Sequence, residues 1–362
     1  MKKPTLSPFF LHVCKKAMFY FGTYFIALSL TFVIIRLMPG NPIQVLVARL
    51  MAGRPKGGPV FGVDRLYLLF IQEFSLDKLA HEQYIVYMQS MLGSTINLLT
   101  FRICPVLQSA NFGISITYYP LTVMDIMTGK LLWSLALLLP SIVIGFIVGN
   151  YLGAIAASKK GVIDNVVFNT SLFLSNIPYY CLALILLFVF AFVYRIFPIG
   201  GGYSFGRIGF SLTLDWIIDY LHHYALPFLS LFLITVGGQA IGMRVMMIYE
   251  LNSDYYVYSK QLGLSERKLV NYAYQNAILP QITGLALSFG SIFSGSLITE
   301  VVFNYPGIGL ALYNAILGRD YPLIQGCFAI ITLTTLVANF LMDIAYAFID
   351  PRIRAVYAGE KA

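Results

Sequence analysis

The sequence predicts an all-α membrane protein with six transmembrane helices. Two observations set the class. Only 11% of its 362 residues are charged while 58% are hydrophobic, where a soluble domain carries about 25% charged residues. Its mean hydropathy is +0.76. A third observation sets the count: mostly apolar stretches of about 20 residues, the length that crosses a bilayer, recur along the chain. The formal net charge of +8 reads in so apolar a chain as orientation in a lipid bilayer, not as nucleic-acid binding. Cys14, Cys104, Cys181 and Cys327 are scattered with no CxxC spacing. They read as small apolar core residues, not as a disulfide framework or a metal site.

Residues 1–16, with Lys2, Lys3, Lys15 and Lys16, precede a first transmembrane helix at 17–38. A cleavable signal peptide would be shorter and end at small residues; this stretch runs on to "IIRLMPG". It is read as a retained span, with Arg36 near enough to its end to snorkel. Residues 39–128 hold Gly/Pro clusters and no full span. Apolar residues at helical spacing in "LDKLAHEQYIVYMQSML" make this an extracytoplasmic folded subdomain. A membrane core at 129–349 follows, with spans near 131–157, 166–194, 224–247, 282–303 and 323–349, then a tail at 350–362. Lys and Arg concentrate in the two ends of the chain and in the segments after the second and fourth spans; the short loops opposite hold only Arg195, Arg207 and Arg319. Both termini are therefore expected in the cytoplasm.

The segment after the fourth span, "YSKQLGLSERKLVNYAYQNAILP", is charged and dotted with tyrosine. It reads as two short helices with a break. Asn252, Ser253 or Asp254 offers the first N-cap. Tyr255, Tyr258 and Leu262 share one face, and Gly263 can take the left-handed conformation that ends a helix. Ser265 can cap the second helix, with Glu266 placed well for its dipole. Leu269, Tyr272, Ala273 and Asn276 continue one face as far as Pro280. Such an element either lies on lipid or docks a soluble partner.

This stretch resembles the cytoplasmic loop of ABC-importer membrane subunits, and more narrowly that of the dipeptide/oligopeptide permease branch. The similarity continues through "GSLITEVVFNYPGIGLALYNAILGRDYPLIQG" and "NFLMDIAYAFIDPRIR", and includes "RLMPGNP" and "NFGISITYYPLTVMDI" earlier. It covers the first span and about residues 106–355; residues 43–104 resemble nothing assignable. The resemblance implies a type I importer-like fold in a bacterial or archaeal plasma membrane. It implies a second homologous permease subunit, two cytosolic ATPase subunits and an extracytoplasmic solute-binding protein as partners. The loop at 252–279 would be the coupling element, with Tyr255, Tyr258, Gly263, Leu264, Glu266 and Arg267 at the ATPase contact. The cargo implied is peptides, with oligosaccharides or nickel as alternatives.

Other features bear on mechanism. The phosphate-binding pattern G-x-x-x-x-G-K-[ST] is absent, so no cofactor is expected on this chain and ATP with Mg belongs on partner ATPases. Gly145, Gly149 and Gly153 repeat every four residues, a face for close helix packing within the chain or against the partner permease. Glu300 lies near the end of the fifth span, where water is expected to reach it. With Pro306 and Gly307 of "EVVFNYPGIG" it is expected to shape an outer gate rather than to couple protons, the alternative for an acid at that depth. Ser288, Ser291 and Ser296 approximate one face of the same span and either line a polar pathway or bond back to helix carbonyls. Asp343, inside the last span, is expected to pair with a neighbouring polar group. His222 and His223 are adjacent and cannot share a helical face as metal ligands. No HExxH, G-x-S-x-G or carboxylate cluster supports an enzyme. The rival reading from another class is a stand-alone secondary transporter.

Overall fold

A computed structural model describes residues 8–37, 78–100, 112–159, 161–204 and 213–349, with backbone alone at 8, 9, 12, 286–295 and 345–349. The helices are α1 (Pro8–Leu37), α2 (Ala80–Leu99), α3 (Val123–Lys159), α4 (Gly161–Asn176), α5 (Tyr179–Leu186), α6 (Leu214–Leu251), α7 (Asp254–Gln261), α8 (Glu266–Val302), α9 (Ile308–Gly318) and α10 (Tyr321–Ile349). A π-helical segment, Leu187–Val193, continues α5. Among the described residues the structure is all-helical apart from one isolated bridge between Ile114 and Thr122.

Helices α1, α3, α6 and α10 are long and apolar enough to cross a membrane, and α4 with α5 makes a fifth candidate. That fifth departs from expectation. The stretch 166–194 is not one straight span: its halves meet at 102°. The break falls at Ile177–Pro178, because proline disfavours a helical residue before it and supplies no N–H after it. The expected span at 282–303 forms, to Val302, the second half of the continuous helix α8.

The chain divides into two compact units. The larger is built on Trp133–Leu310. In it α6 packs against α4, α5 and α8. Glycines set the approach of α3 to α6: a Cβ at Gly145 would lie 2.8 Å from the Thr235 side chain, and one at Gly149 2.7 Å from the Val236 carbonyl oxygen. Gly153 faces the Ala240 carbonyl oxygen so closely that any side chain would overlap it. The small face thus serves packing within the chain, the first of the two uses expected. Near the start of α8 the core is Ala154 and Ala157 of α3, Met243 and Met247 of α6, and Ala273 and Ala277 of α8. Lys16 pairs with Asp343 at 2.8 Å, the polar partner expected for that acid.

The smaller unit comprises Ala17–Leu132 and Ala311–Leu336. Hydroxyls join α1 to α2: Tyr24 to Thr95 at 2.7 Å and Ser29 to Tyr84 at 2.7 Å. Arg36, expected to snorkel, donates to the Gln83 side chain.

Candidate functional site: an exposed helical corner and a buried carboxylate

Two residues, Asn252 and Ser253, separate α6 from α7. Ser253 has the extended backbone of an N-cap, but its hydroxyl donates back to the Glu250 carbonyl at 2.6 Å. At the other end of α7, Gly263 has φ +79°. Its N–H donates to Lys260 O at 3.1 Å and that of Leu264 to Ser259 O at 3.4 Å. These are the paired bonds of a Schellman C-cap, which needs a left-handed residue where they cross. Ser265 then starts α8 with extended backbone.

The second helix is not short. It runs through Pro280 to Val302, because a membrane-length helix tolerates the one missing N–H. The expected face also divides. Leu269 and Ala273 are buried, whereas Tyr272 and Asn276 are exposed. Ala273 and Ala277, four apart, keep one side of α8 on Met243 and Met247, and the residues one position earlier point about 100° away. Tyr256 and Val270 pack on the same core.

Tyr258 and Leu262 are 63% and 62% exposed, and Tyr255 is part exposed. Glu266 and Arg267 are exposed; Leu264 is half-buried. The Tyr255 hydroxyl donates to the Glu250 carboxylate at 2.7 Å. Burial, then that bond, raises its pKa above the ordinary phenol value, so it stays a neutral donor. An open depression of about 580 Å³ lies alongside, lined by Val245, Ile248, Tyr249, Asn252, Ser253 and Asp254.

The second constellation surrounds Glu300. Helix α8 ends with Asn304 in the left-handed region, φ 46°, and Tyr305 N–H donates to Glu300 O at 2.8 Å. The chain turns at Pro306–Gly307 into α9. The Glu300 carboxylate accepts from Ser134 Oγ at 2.6 Å and from Gly309 N–H at 2.6 Å, and Ser134 Oγ accepts from Ile308 N–H at 2.8 Å. The acid therefore caps the N-terminus of α9, directly and through Ser134, where orphan N–H groups and the helix dipole favour a negative charge. Gly307 lies flat on the carboxylate with no room for a Cβ, and Pro306 packs on Gly202. Water access was expected here. Glu300 is instead 1% exposed, because the turn folds back over it. Ser296 and Thr299 are also buried. The Ser288 and Ser291 side chains lie outside the described residues, as do Asp350 and Arg352 of "DPRIR", which the sequence suggests as a cytoplasmic anchor after the last span.

His222 and His223 point apart. His222 Nε2 meets Ile196 O at 2.7 Å and His223 Nδ1 meets Asp219 O at 2.9 Å.

The family described as binding-protein-dependent transport system inner membrane component matches residues 149–355. The chain belongs to this family. Similar relatives span nearly the whole chain. It is 30% identical to the di/tripeptide transport system permease protein DppB of Pseudomonas aeruginosa, covering 92% of this chain and 95% of the relative. It is 28% identical to the oligopeptide transport system permease protein AppB of Bacillus subtilis, covering 90% and 93%. It is 27% identical to the glutathione transport system permease protein GsiC of Escherichia coli K12, covering 95% and 98%. As an ABC-type permease of this inner-membrane family, the chain is a multi-pass protein of the plasma membrane.

Two charged constellations in this permease escaped the sequence reading. In the smaller unit Asp320 is fully buried. It accepts from Ser115 Oγ at 2.5 Å, Thr117 N–H at 2.7 Å and Leu323 N–H at 3.2 Å. An aspartate just before "YPLIQG" is an N-cap signal. In the larger unit Arg244 meets Asp164. Arg244 is the single charged residue from 220 to 249, and a lone charge inside a span calls for a partner.

Proposed function

We propose that this chain is a transmembrane permease subunit of an ATP-driven, solute-binding-protein-dependent importer, forming half of a translocation pathway for peptides. It crosses the membrane six times with both termini cytoplasmic, as the distribution of Lys and Arg favours. Residues 254–280 couple it to a cytosolic ATPase subunit, which carries the ATP and Mg. The observation that carries the reading is the corner at α7, Gly263 and the start of α8. Its inner side is fastened to α6 through Met243, Met247, Tyr256 and Ala273, while Tyr258 and Leu262 stay exposed. A rigid aromatic and an aliphatic side chain on a charged rim are the makings of a protein contact. ATP-driven closure of two ATPase subunits draws two such corners together, and the permease pair opens outward to the binding protein. Peptide cargo is favoured over oligosaccharide or nickel by the names of the relatives.

A mild-detergent pull-down of the tagged chain from its native host tests this, with Gly263→Pro alongside. Proline removes the 263 N–H bond and forbids the positive φ. Co-purification of ATPase subunits and a second permease with wild type, lost with Gly263→Pro, is expected. Wild type purifying without either would refute the reading.

A further inference from the structure

Asp164 lies in the first turn of α4 and Arg244 two turns before the end of α6. Arg244 Nε donates to Asp164 Oδ1 at 2.5 Å and Nη2 to Oδ2 at 2.8 Å. The guanidinium also lies over the Phe168 ring, 4.5 Å from its centroid. The two side chains are 22% and 16% exposed. A two-pronged, partly desolvated pair fixes orientation as well as distance, which a point charge does not.

Its position gives the pair a use. Flanking Met243 and Met247 fasten this end of α6 to α3 and α8, the core that Tyr256 of α7 joins. Elsewhere along their contact, α4 comes close to α6 at Gly237, which faces the Ser171 carbonyl and Leu174. Smooth contact over a glycine resists separation but not sliding. The Arg244 fork adds a directional bond that fixes register between α4 and the end of α6 that leads into the exposed corner.

We propose that Asp164 and Arg244 are positioning residues of the coupling step: they lock α4 to α6, so that a displacement of the 252–265 corner carries α4 with it. The proposal rests on the reading of that corner as the ATPase contact.

The test uses the transporter co-purified with its ATPase subunits and reconstituted in vesicles with its binding protein. Four variants are compared: Arg244→Gln, Asp164→Asn, Arg244→Lys, and the exchange of Asp164→Arg with Arg244→Asp. Retained ATPase subunits, ATP hydrolysis and peptide uptake per ATP are measured. The two neutral variants are expected to keep the ATPase subunits while uptake per ATP falls about tenfold or more, the size of a typical coupling. Arg244→Lys keeps charge without the fork and falls in between; the exchange restores uptake per ATP to within about threefold of wild type. Unchanged uptake per ATP in both neutral variants would overturn the proposal. So would loss of the ATPase subunits with no restoration by the exchange, which would make the pair a fold-holding bond only. If wild type itself binds no ATPase subunit, the reading of the corner has failed first, and this proposal falls with it.

Discussion

Replacing Glu300 separates a structural acid from a water-reached, proton-carrying one. Its carboxylate takes hydrogen bonds from Ser134 Oγ and Gly309 N–H, both at 2.6 Å. A hydrogen bond to a charged group is worth about 1.5–3 kcal/mol net, so Glu300→Ala forfeits about 3–6 kcal/mol and strands a helix N–H. Relief of the buried charge offsets part of that, leaving about 2–4 kcal/mol of destabilisation. Glu300→Gln should cost far less. Its Oε1 still accepts from Gly309, and its NH₂ can donate to Ser134 Oγ, which has a lone pair free beside the one that takes Ile308 N–H. That substitution is worth about 1 kcal/mol. The assay is the unfolding midpoint of the purified chain in detergent. At about 2–4 °C per kcal/mol, the slope for a unit of about 200 residues such as the larger one, alanine should lower it by roughly 5–15 °C and glutamine by a few degrees. Transport should survive Glu300→Gln. Equal midpoints for alanine and wild type would refute the capping argument. A stable but transport-dead Glu300→Gln would favour a proton-coupling role instead.

Other outcomes follow from the same geometry. Gly153→Leu should abolish recovery of folded chain by size exclusion, since its side chain would enter the Ala240 carbonyl and α3 cannot retreat without opening the alanine–methionine core. Asp320→Ala releases three donors and should destabilise the smaller unit by about 2–4 kcal/mol, seen as faster proteolysis near 113–120. Tyr258→Ala and Leu262→Asp should leave the unfolding midpoint unchanged, because both side chains face outward, yet weaken ATPase binding about 10- to 100-fold. Lys16→Ala should change stability by less than about 1 kcal/mol, since its pair with Asp343 is part exposed.

Membrane class and most helices were legible because lipid demands long apolar runs, and such runs survive in the sequence whatever the packing. The Gly263 break was legible for a local reason: a left-handed residue closing a helix is encoded at one position. Pro280 misled because a stop signal for a water-exposed helix is weak in a long membrane helix. Pro178 did break its span, into halves at 102°; the two prolines read alike locally and differ in what surrounds them. Glu300 could be singled out by its place in the span, but not its burial, which depends on Gly307 folding back over it. Asp164 and Asp320 escaped because their partners are 80 and about 200 residues away, beyond the reach of any periodicity.

The measurement that tests the central claim most directly is uptake of a labelled tripeptide into vesicles bearing the co-purified assembly, with ATP and the solute-binding protein each supplied or withheld. The account predicts uptake only when both are present. Uptake by this chain alone, without ATP and driven by an ion gradient, would contradict it and make the protein a secondary carrier.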